Sequence, residues 1–283
     1  MDELPFQSEL ADALDSSPTD ATELDGGEIG TVYRVELADG RTVVTKTGDT
    51  PLRVEARMLR YLAAETDLPV PTVYHANYDL LVLEFVSGDS TFSESVERDA
   101  ADYLADLHEV SDSAFGFPFD TLTGSVRQPN PWTDSWVEFY RMHRVEYMTE
   151  LAHESGALSD ALAERVDDFA ADLSAILEEP DSPGLVHGDV WTQNVLAGDD
   201  SVRAFLDPAT YFAHPEIELA YVDWTDTFGE AFFDRYRERH DIAPGFFEER
   251  RDAYVVYPLL THVYYFGEQY CAELDRTLRR LTY

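Results

Sequence analysis

The chain has 283 residues and a mass of 32.1 kDa, with 57 Asp and Glu against 20 Lys and Arg, a formal charge of −37 and a pI near 4.2. With 44 % hydrophobic and 13 % aromatic residues it can build a folded core and is not an acidic disordered chain. The charge leaves no basic footprint for nucleic acid or anionic membrane, no stretch approaches the roughly 18 apolar residues of a membrane span, and Cys271, alone, forms no internal disulfide or cysteine-based zinc site.

Met1-Asp2-Glu3-Leu4 lacks the basic and apolar regions of a secretory leader, so a soluble cytoplasmic protein is expected. At about 1 M salt the screening length falls to roughly 3 Å, and the carboxylates become a hydrated coat. Adaptation to molar salt is the reading of this charge. The length suits two lobes around a cleft, with a monomer favoured.

Phe6, Leu10, Ala13 and Leu14 share a helical face ahead of the breaker Ser16-Ser17-Pro18, which predicts a first helix over 2–15. Strand patterns follow. Residues 32–37 and 42–45 flank Ala38-Asp39-Gly40-Arg41, whose Asp-Gly pair is a hairpin signal. Ahead of them Leu24-Asp25-Gly26-Gly27-Glu28-Ile29-Gly30 reads as a glycine-rich turn between two strands. From Pro51 a helix is expected, with Val54, Met58, Leu59 and Leu62 on one face and Glu55 turned toward the sheet. Strands over 72–76 and 80–86 complete a unit of five antiparallel strands with one inserted helix.

Helical periodicity then dominates, over 93–109, 131–154, 157–178, 215–240 and 246–281. A β-rich lobe over 1–87 followed by an α-rich lobe over 88–283 is therefore expected. One stretch breaks the helical rule. Leu185 to Leu196 lies between Gly184 and Gly198, and a short strand over 202–206 leads from it into Asp207-Pro208.

Lys46 is the only lysine, against nineteen arginines, and it ends the β-branched run Thr42-Val43-Val44-Thr45. A compact ammonium reaches between phosphate oxygens and a carboxylate, a task for which a planar guanidinium is poorly shaped. Phosphoryl transfer from ATP needs such a lysine with a carboxylate to hold it. It also needs a base for the accepting hydroxyl, oxygen ligands for Mg²⁺ and a backbone cover over the phosphates. Asp189 and Asn194 stand five positions apart, the spacing of base and metal ligand in a kinase catalytic loop. Asp207 follows at the end of the next strand as a second metal ligand. Lys46 and Glu55, nine positions apart, suit an ion pair over the phosphates, and Gly26, Gly27 and Gly30 suit their cover. Taken singly, each match is more often structural; their conjunction carries the reading. No HExxH or GxSxG occurs, so neither zinc nor a nucleophile elbow is assigned.

His187-Gly188-Asp189-Val190-Trp191-Thr192-Gln193-Asn194 resembles the HGDLWxGN signature of the fructosamine kinase (ketosamine-3-kinase) family, within the aminoglycoside phosphotransferase and choline kinase-like group. Residues 207–216 resemble its DPAxYYGHxE segment, and Gly124 to Asn130, with Trp132 and Trp136 behind, its IGxxxQxN…W insert. Leu83-Glu84-Phe85, Leu104 to His108, Gly245-Phe246-Phe247 and Tyr257 to His262 agree too, so the likeness spans almost the whole chain. It implies an α+β, protein kinase-like two-lobed fold, with Mg²⁺ and ATP used to phosphorylate O3 of a ketosamine; the charge, read above, adds the expectation of a halophilic archaeal enzyme. The ketosamine, fructosamine or ribulosamine, is small or protein-bound.

By that resemblance Asp189 takes the hydroxyl proton, Asn194 and Asp207 hold Mg²⁺, and Lys46 with Glu55 positions the phosphates. Glu84, Phe85 and Val86 form the hinge beside adenine. Trp191 stacks on the sugar, and His187 and His214 stand on the substrate side, His187 chiefly as a brace for the loop. The chain departs from the family at Gly30, where asparagine is frequent, at Gln193, where glycine is common, and at Glu218, where aspartate supports the catalytic loop. Two other readings compete: a different small-molecule kinase of this fold, acting on an aminoglycoside, choline or a simple sugar, and a catalytically silent nucleotide-binding scaffold.

Overall fold

The computed structural model describes residues 6–24 and 30–283. Gly26 and Gly27, and the beginning of the first expected helix, lie outside the described residues. The first part of the chain runs α1 (Gln7–Leu14), β1 (Pro18–Leu24), β2 (Thr31–Leu37), β3 (Thr42–Thr47), α2 (Arg53–Glu65), β4 (Val73–Ala76) and β5 (Leu80–Glu84). The strands form one antiparallel sheet in the order β1-β2-β3-β5-β4.

The sheet is covered on both faces, which is why β5 can be a continuous apolar run. Leu80 and Val82 join Val35, Leu37 and Val43 under Phe6 and Leu10 of the α1 region. Leu81 and Leu83 face the other way, against Leu52, Ala56 and Leu59 around α2. Strand alternation then fixes Lys46. Val43 faces α1, so Val44 and Lys46 face the α2 side, with Lys46 opposite Val32 on β2 and Leu81 on β5.

The second part comprises α3 (Glu94–Glu109), β6 (Thr121–Thr123), β7 (Val126–Gln128), α4 (Trp136–Tyr140), α5 (Tyr147–Glu154) and α6 (Asp160–Ile176). Next come β8 (Gly184–Val186), β9 (Val195–Gly198), β10 (Ser201–Phe205) and β11 (Tyr211–Ala213), then α7 (Glu216–Trp224), α8 (Glu230–Arg239), α9 (Arg251–Phe266) and α10 (Glu268–Arg280). The β8/β11 and β9/β10 pairs flank the loop of residues 187–194. Contact between the two parts is direct. Tyr61 of α2 meets Phe117 at 4.7 Å, Arg57 lies 3.7 Å over the Phe119 ring, and Phe205 N donates to the Pro69 carbonyl oxygen at 2.8 Å.

Three helical expectations need correction. The helix expected over 131–154 starts at Trp136, because Pro131 lacks a backbone donor and Thr133 is paired with Phe115; it continues through a π-helical segment, Arg141–Glu146. The stretch 215–240 is two helices, separated at Asp226, whose φ of 51° is left-handed. The stretch 246–281 opens as a π-helical turn, Phe246–Arg250, and breaks at Gly267. The expected strand over 80–86 ends at Glu84. Among the described residues no helix is long and apolar enough to cross a membrane.

Leu81 is fully buried on β5, between β3 and β4, and packs against the α2 side of the sheet. Leu81→Ala should lower unfolding free energy by about 2–5 kcal/mol, read by denaturant titration in molar KCl.

Candidate active site

Lys46 leaves β3 on the α2 face, and Glu55 sits in the first turn of α2, so the two meet across the gap between strand and helix. The Lys46 Nζ to Glu55 Oε1 distance is 2.8 Å, and both side chains are about 15 % exposed. Lys46 also forms a close ion pair with Asp207, delivered by the turn after β10. Burial would depress the Lys46 ammonium, but the charges of Asp207 and Glu55 outweigh it and raise its pKa above the usual lysine range. Burial, with Asp207 close by, pushes the Glu55 carboxyl up to about 7. Asp207 itself is held below its ordinary value, because the Lys46 charge outweighs its desolvation.

Asp189 lies on the loop between β8 and β9. Asn194 Nδ2 donates to the Asp189 backbone oxygen at 3.0 Å and to its Oδ2 at 2.9 Å. The Tyr221 side chain of α7 acts on Asp189 to lower its pKa. Burial raises the Asp189 carboxyl to about 7, with the charges of Asp207 and Glu218 adding to the shift and the hydrogen bonds opposing it. The Asn194 backbone oxygen accepts from Leu206 N at 2.8 Å, which ties this loop to the residue preceding Asp207.

The loop is anchored from behind by Glu218. Its carboxylate accepts from Gly188 N at 2.6 Å and His187 N at 3.1 Å, and it lies 3.0 Å from His108 Nε2. His108 Nδ1 is 2.7 Å from the Tyr236 hydroxyl. Burial would raise the Glu218 carboxyl, but the His108 hydrogen bond and charge outweigh it and keep it below the usual range. Gly188 has φ 87°, and a Cβ there would stand 2.4 Å from the Ala209 carbonyl oxygen. No other residue fits that position without moving the backbone.

The other predicted residues sort as follows. His187 is fully buried, so it cannot touch a substrate; its Nδ1 accepts from Asp189 N at 3.3 Å, and burial lowers its pKa, which makes it a neutral brace. His214 contributes to the start of α7 rather than to the Lys46 cluster. Its Nδ1 accepts from Glu216 N at 3.1 Å, its ring packs near Trp136 and Tyr254, and burial pushes its pKa down to about 4. Trp191 is half-buried directly after Val190. The Glu84 carboxylate accepts from Thr72 N and Oγ1 at 3.2 and 2.8 Å, and its own N–H donates to the Thr72 carbonyl oxygen at 2.9 Å; Phe85 lies under the Arg34 guanidinium at 5.2 Å. At Gly30 a Cβ would stand 2.4 Å from the Thr47 carbonyl oxygen, so an asparagine has no room there.

The donor set suits Mg²⁺. Both contacts to Asp189 use the amide nitrogen of Asn194, leaving its Oδ1 as an oxygen donor, and the Asp207 carboxylate is 48 % exposed. Hard oxygen donors in small number match an ion that keeps waters and shares phosphate oxygens. Among the described residues no group of three or more His, Cys, Asp or Glu could hold a metal.

Sequence reasoning assigned no role to Tyr221, His108 or Tyr236. His108 follows the apolar face of α3 with Leu104 one turn earlier, a position that predicts burial but names no partner.

The family model of fructosamine kinase matches residues 6–283. A Synechocystis protein named a ketoamine kinase is 33 % identical over 236 residues, covering 81 % of this chain and 77 % of that protein. A chloroplastic protein-ribulosamine 3-kinase of Oryza sativa subsp. indica is 31 % identical, over 80 % of this chain and 67 % of its own. Among solved structures, one described as a fructosamine-3-kinase of Thermobifida fusca superposes with a TM-score of 0.86 at 27 % identity, covering 98 % of each chain. An aminoglycoside phosphotransferase in complex with AMP-PNP and hygromycin B shares the fold, with a TM-score of 0.72 at 17 % identity over 98 % of this chain and 99 % of that one. The fold is therefore protein kinase-like.

Lys46→Arg keeps the charge but not the shape that fits between Glu55 and Asp207. Its kcat/KM for ATP should fall about 10²-fold or more in steady-state assays.

Proposed function

The chain belongs to the fructosamine kinase family, and from that premise we propose that it transfers the γ-phosphoryl group of ATP to O3 of a ketosamine, small or protein-bound. The observation that carries the reading is the meeting of Lys46, Glu55 and Asp207 in one cluster, tied through Leu206 to the loop that holds Asp189 against Asn194. Names of relatives, ketoamine kinase and protein-ribulosamine 3-kinase, favour a ketosamine over choline or an aminoglycoside as acceptor. A silent scaffold is disfavoured, because lysine, base and both metal-ligand positions are intact.

In this reading Asp189 accepts the O3 proton as that oxygen attacks the γ-phosphorus and the bond to the β–γ bridging oxygen breaks, releasing ADP. The hydrogen bond from Asn194 Nδ2 holds the Asp189 carboxylate in one orientation. Lys46, steadied by Glu55, turns its ammonium to the phosphates. Asn194 Oδ1 and Asp207 would hold Mg²⁺, which when bound draws charge from the phosphate oxygens. Val32 and Val44, on the Lys46 face of the sheet, would form an apolar roof for adenine, with the backbone of 84–86 at its edge. Trp191, next to the base, stacks on the sugar. A 3-phosphate makes the adduct fall apart, so the role proposed is repair of glycated amines in the cytoplasm of a halophilic archaeon, by a monomer.

With ATP and Mg²⁺ in molar KCl, the wild type should phosphorylate ketosamines and leave choline and aminoglycosides unmodified, and Asp189→Asn should lose about 10²-fold or more in kcat. Transfer to choline alone, or equal activity in the variant, overturns the assignment.

Salt gives an independent test. A charge of −37 repels ATP in dilute buffer, whereas at about 1 M KCl screening confines that repulsion to roughly 3 Å. Initial rates should therefore rise with KCl; a maximum in dilute buffer would contradict the halophilic reading.

A further inference from the structure

One of the completely buried side chains is a cation, Arg144, on the π-helical segment after α4. Its Nη1 donates to the carbonyl oxygens of Pro129 and His143 at 2.9 Å each, and its Nη2 to Asn130 Oδ1 at 2.6 Å. The guanidinium lies 3.9 Å over the Tyr211 ring of β11 and 4.7 Å over that of Phe139 on α4. Its Nε has no hydrogen-bond partner, and among the described residues no carboxylate forms an ion pair with it.

A cation buried against neutral oxygens and rings is desolvated without the return that a carboxylate gives. An apolar side chain of similar volume would fill the same space at lower cost, so stability alone does not account for an arginine here. Its partners supply a second reason. Asn130, gripped through Oδ1, donates from Nδ2 to Thr121 Oγ1 at 2.8 Å and to the Phe119 carbonyl oxygen at 3.3 Å. The Phe117 and Phe119 rings meet at 4.8 Å, and α2 lies on them, with Arg57 over Phe119 and Tyr61 against Phe117. Arg57 is two residues beyond Glu55 on the same helix. Arg144 is thus connected through Asn130 and Phe119 to the helix that presents Glu55 to Lys46. The far side of the β6/β7 hairpin is held by α9, where the Tyr257 hydroxyl accepts from Gln128 Nε2 at 2.8 Å. Loss of Arg144 therefore loosens the near side without releasing the hairpin.

We propose that Arg144 is a positioning residue for the nucleotide: by gripping Asn130 it fixes residues 117–121, sets the seat of α2 and so places Glu55 against Lys46. The inference rests on the phosphoryl-transfer reading and concerns ATP rather than the acceptor. Arg144 has no bond to Lys46, Glu55, Asp207 or Asp189 and acts only through α2. The Asp189 loop is anchored separately, by Glu218. Affinity for ATP therefore depends on Arg144, and the acceptor is little affected.

The test is calorimetric titration of the full chain with ATP and Mg²⁺ in molar KCl. Arg144→Met keeps bulk beside Tyr211 and removes the donors; its Kd for ATP should rise about tenfold, while the KM for the acceptor changes less than about twofold. Glu55→Gln should weaken ATP binding as well, and adding Arg144→Met to it should bring little further loss, since both act on the same pair. Leu274→Ala, which empties a buried position on α10 outside this path, should lower stability and leave ATP affinity unchanged. An unchanged Kd in Arg144→Met, losses that multiply in the double variant, or an equal loss in Leu274→Ala overturns the inference. If Arg144→Met does not fold, Asn130→Ala is measured against the same outcomes, because there the cation keeps its two backbone acceptors. The titration needs no acceptor. A wild type that binds ATP but phosphorylates no ketosamine strikes only the acceptor reading, and one that binds no ATP overturns this inference too.

Discussion

Lys46 carries one positive charge between two carboxylates that arrive from opposite parts of the molecule. Glu55 is nine residues away on α2, and Asp207 is 161 residues away beyond β10. Removing one partner of a buried ion pair costs about 3–5 kcal/mol, because the remaining charge stays desolvated. Here the loss of Lys46 would leave two carboxylates facing each other. The sheet register, the covering of both its faces and the docking of α2 on the β6/β7 region all serve that meeting. Tyr61 against Phe117 and Arg57 over Phe119 fix α2 from the helical side, so the position of Glu55 depends on both parts of the chain.

Asp189 depends on a second constraint, applied from beneath. Two successive backbone N–H groups, of His187 and Gly188, point at one carboxylate, which is possible only because Gly188 adopts a left-handed conformation. Glu218 is buried, and its charge is sustained by His108 and by those two donors. Charge-assisted hydrogen bonds of this kind are about twice as strong as neutral ones. The anchor joins α3, α7 and α8 to the loop, so Asp189 rests on three helices. A loop held this way presents its carboxylate without reorganising during the reaction.

The local part of this arrangement was legible in the sequence. Alternation along β3 and the apolar run of β5 define the sheet, and the Asp189 to Asn194 spacing is a property of one short loop. Glu218 was legible as a support for that loop because it lies within a recognisable segment. Tyr221, His108 and Tyr236 were not, because their partners are set by tertiary packing. The same limit applies to helix ends. Periodicity continues across 225–229 and across Gly267, and only the left-handed Asp226 and the Gly267 turn reveal the breaks. The β6/β7 hairpin was hidden because its strands span three residues each, too few for alternation to register. His187, expected on the substrate side but chiefly as a brace, is sealed beneath the loop.

The residue choice at position 46 follows from how the other cations are used. Arg239 bridges Asp102 and Asp106, Arg235 bridges Asp102 and Glu238, and Arg251 and Arg280 converge on Asp252. A guanidinium fork suits such pairing, since it offers several donors in a fixed plane and remains charged. Exposed pairs contribute little singly, at most about 1 kcal/mol each, but in a chain of this charge they bring acidic segments together where repulsion would part them. At position 46 the geometry differs. The cation must be compact enough to touch Glu55 and Asp207 at once from the end of a strand. An ammonium has three donors around a single nitrogen, and a fork held by the same two carboxylates would spread its remaining donors in the plane of the pair.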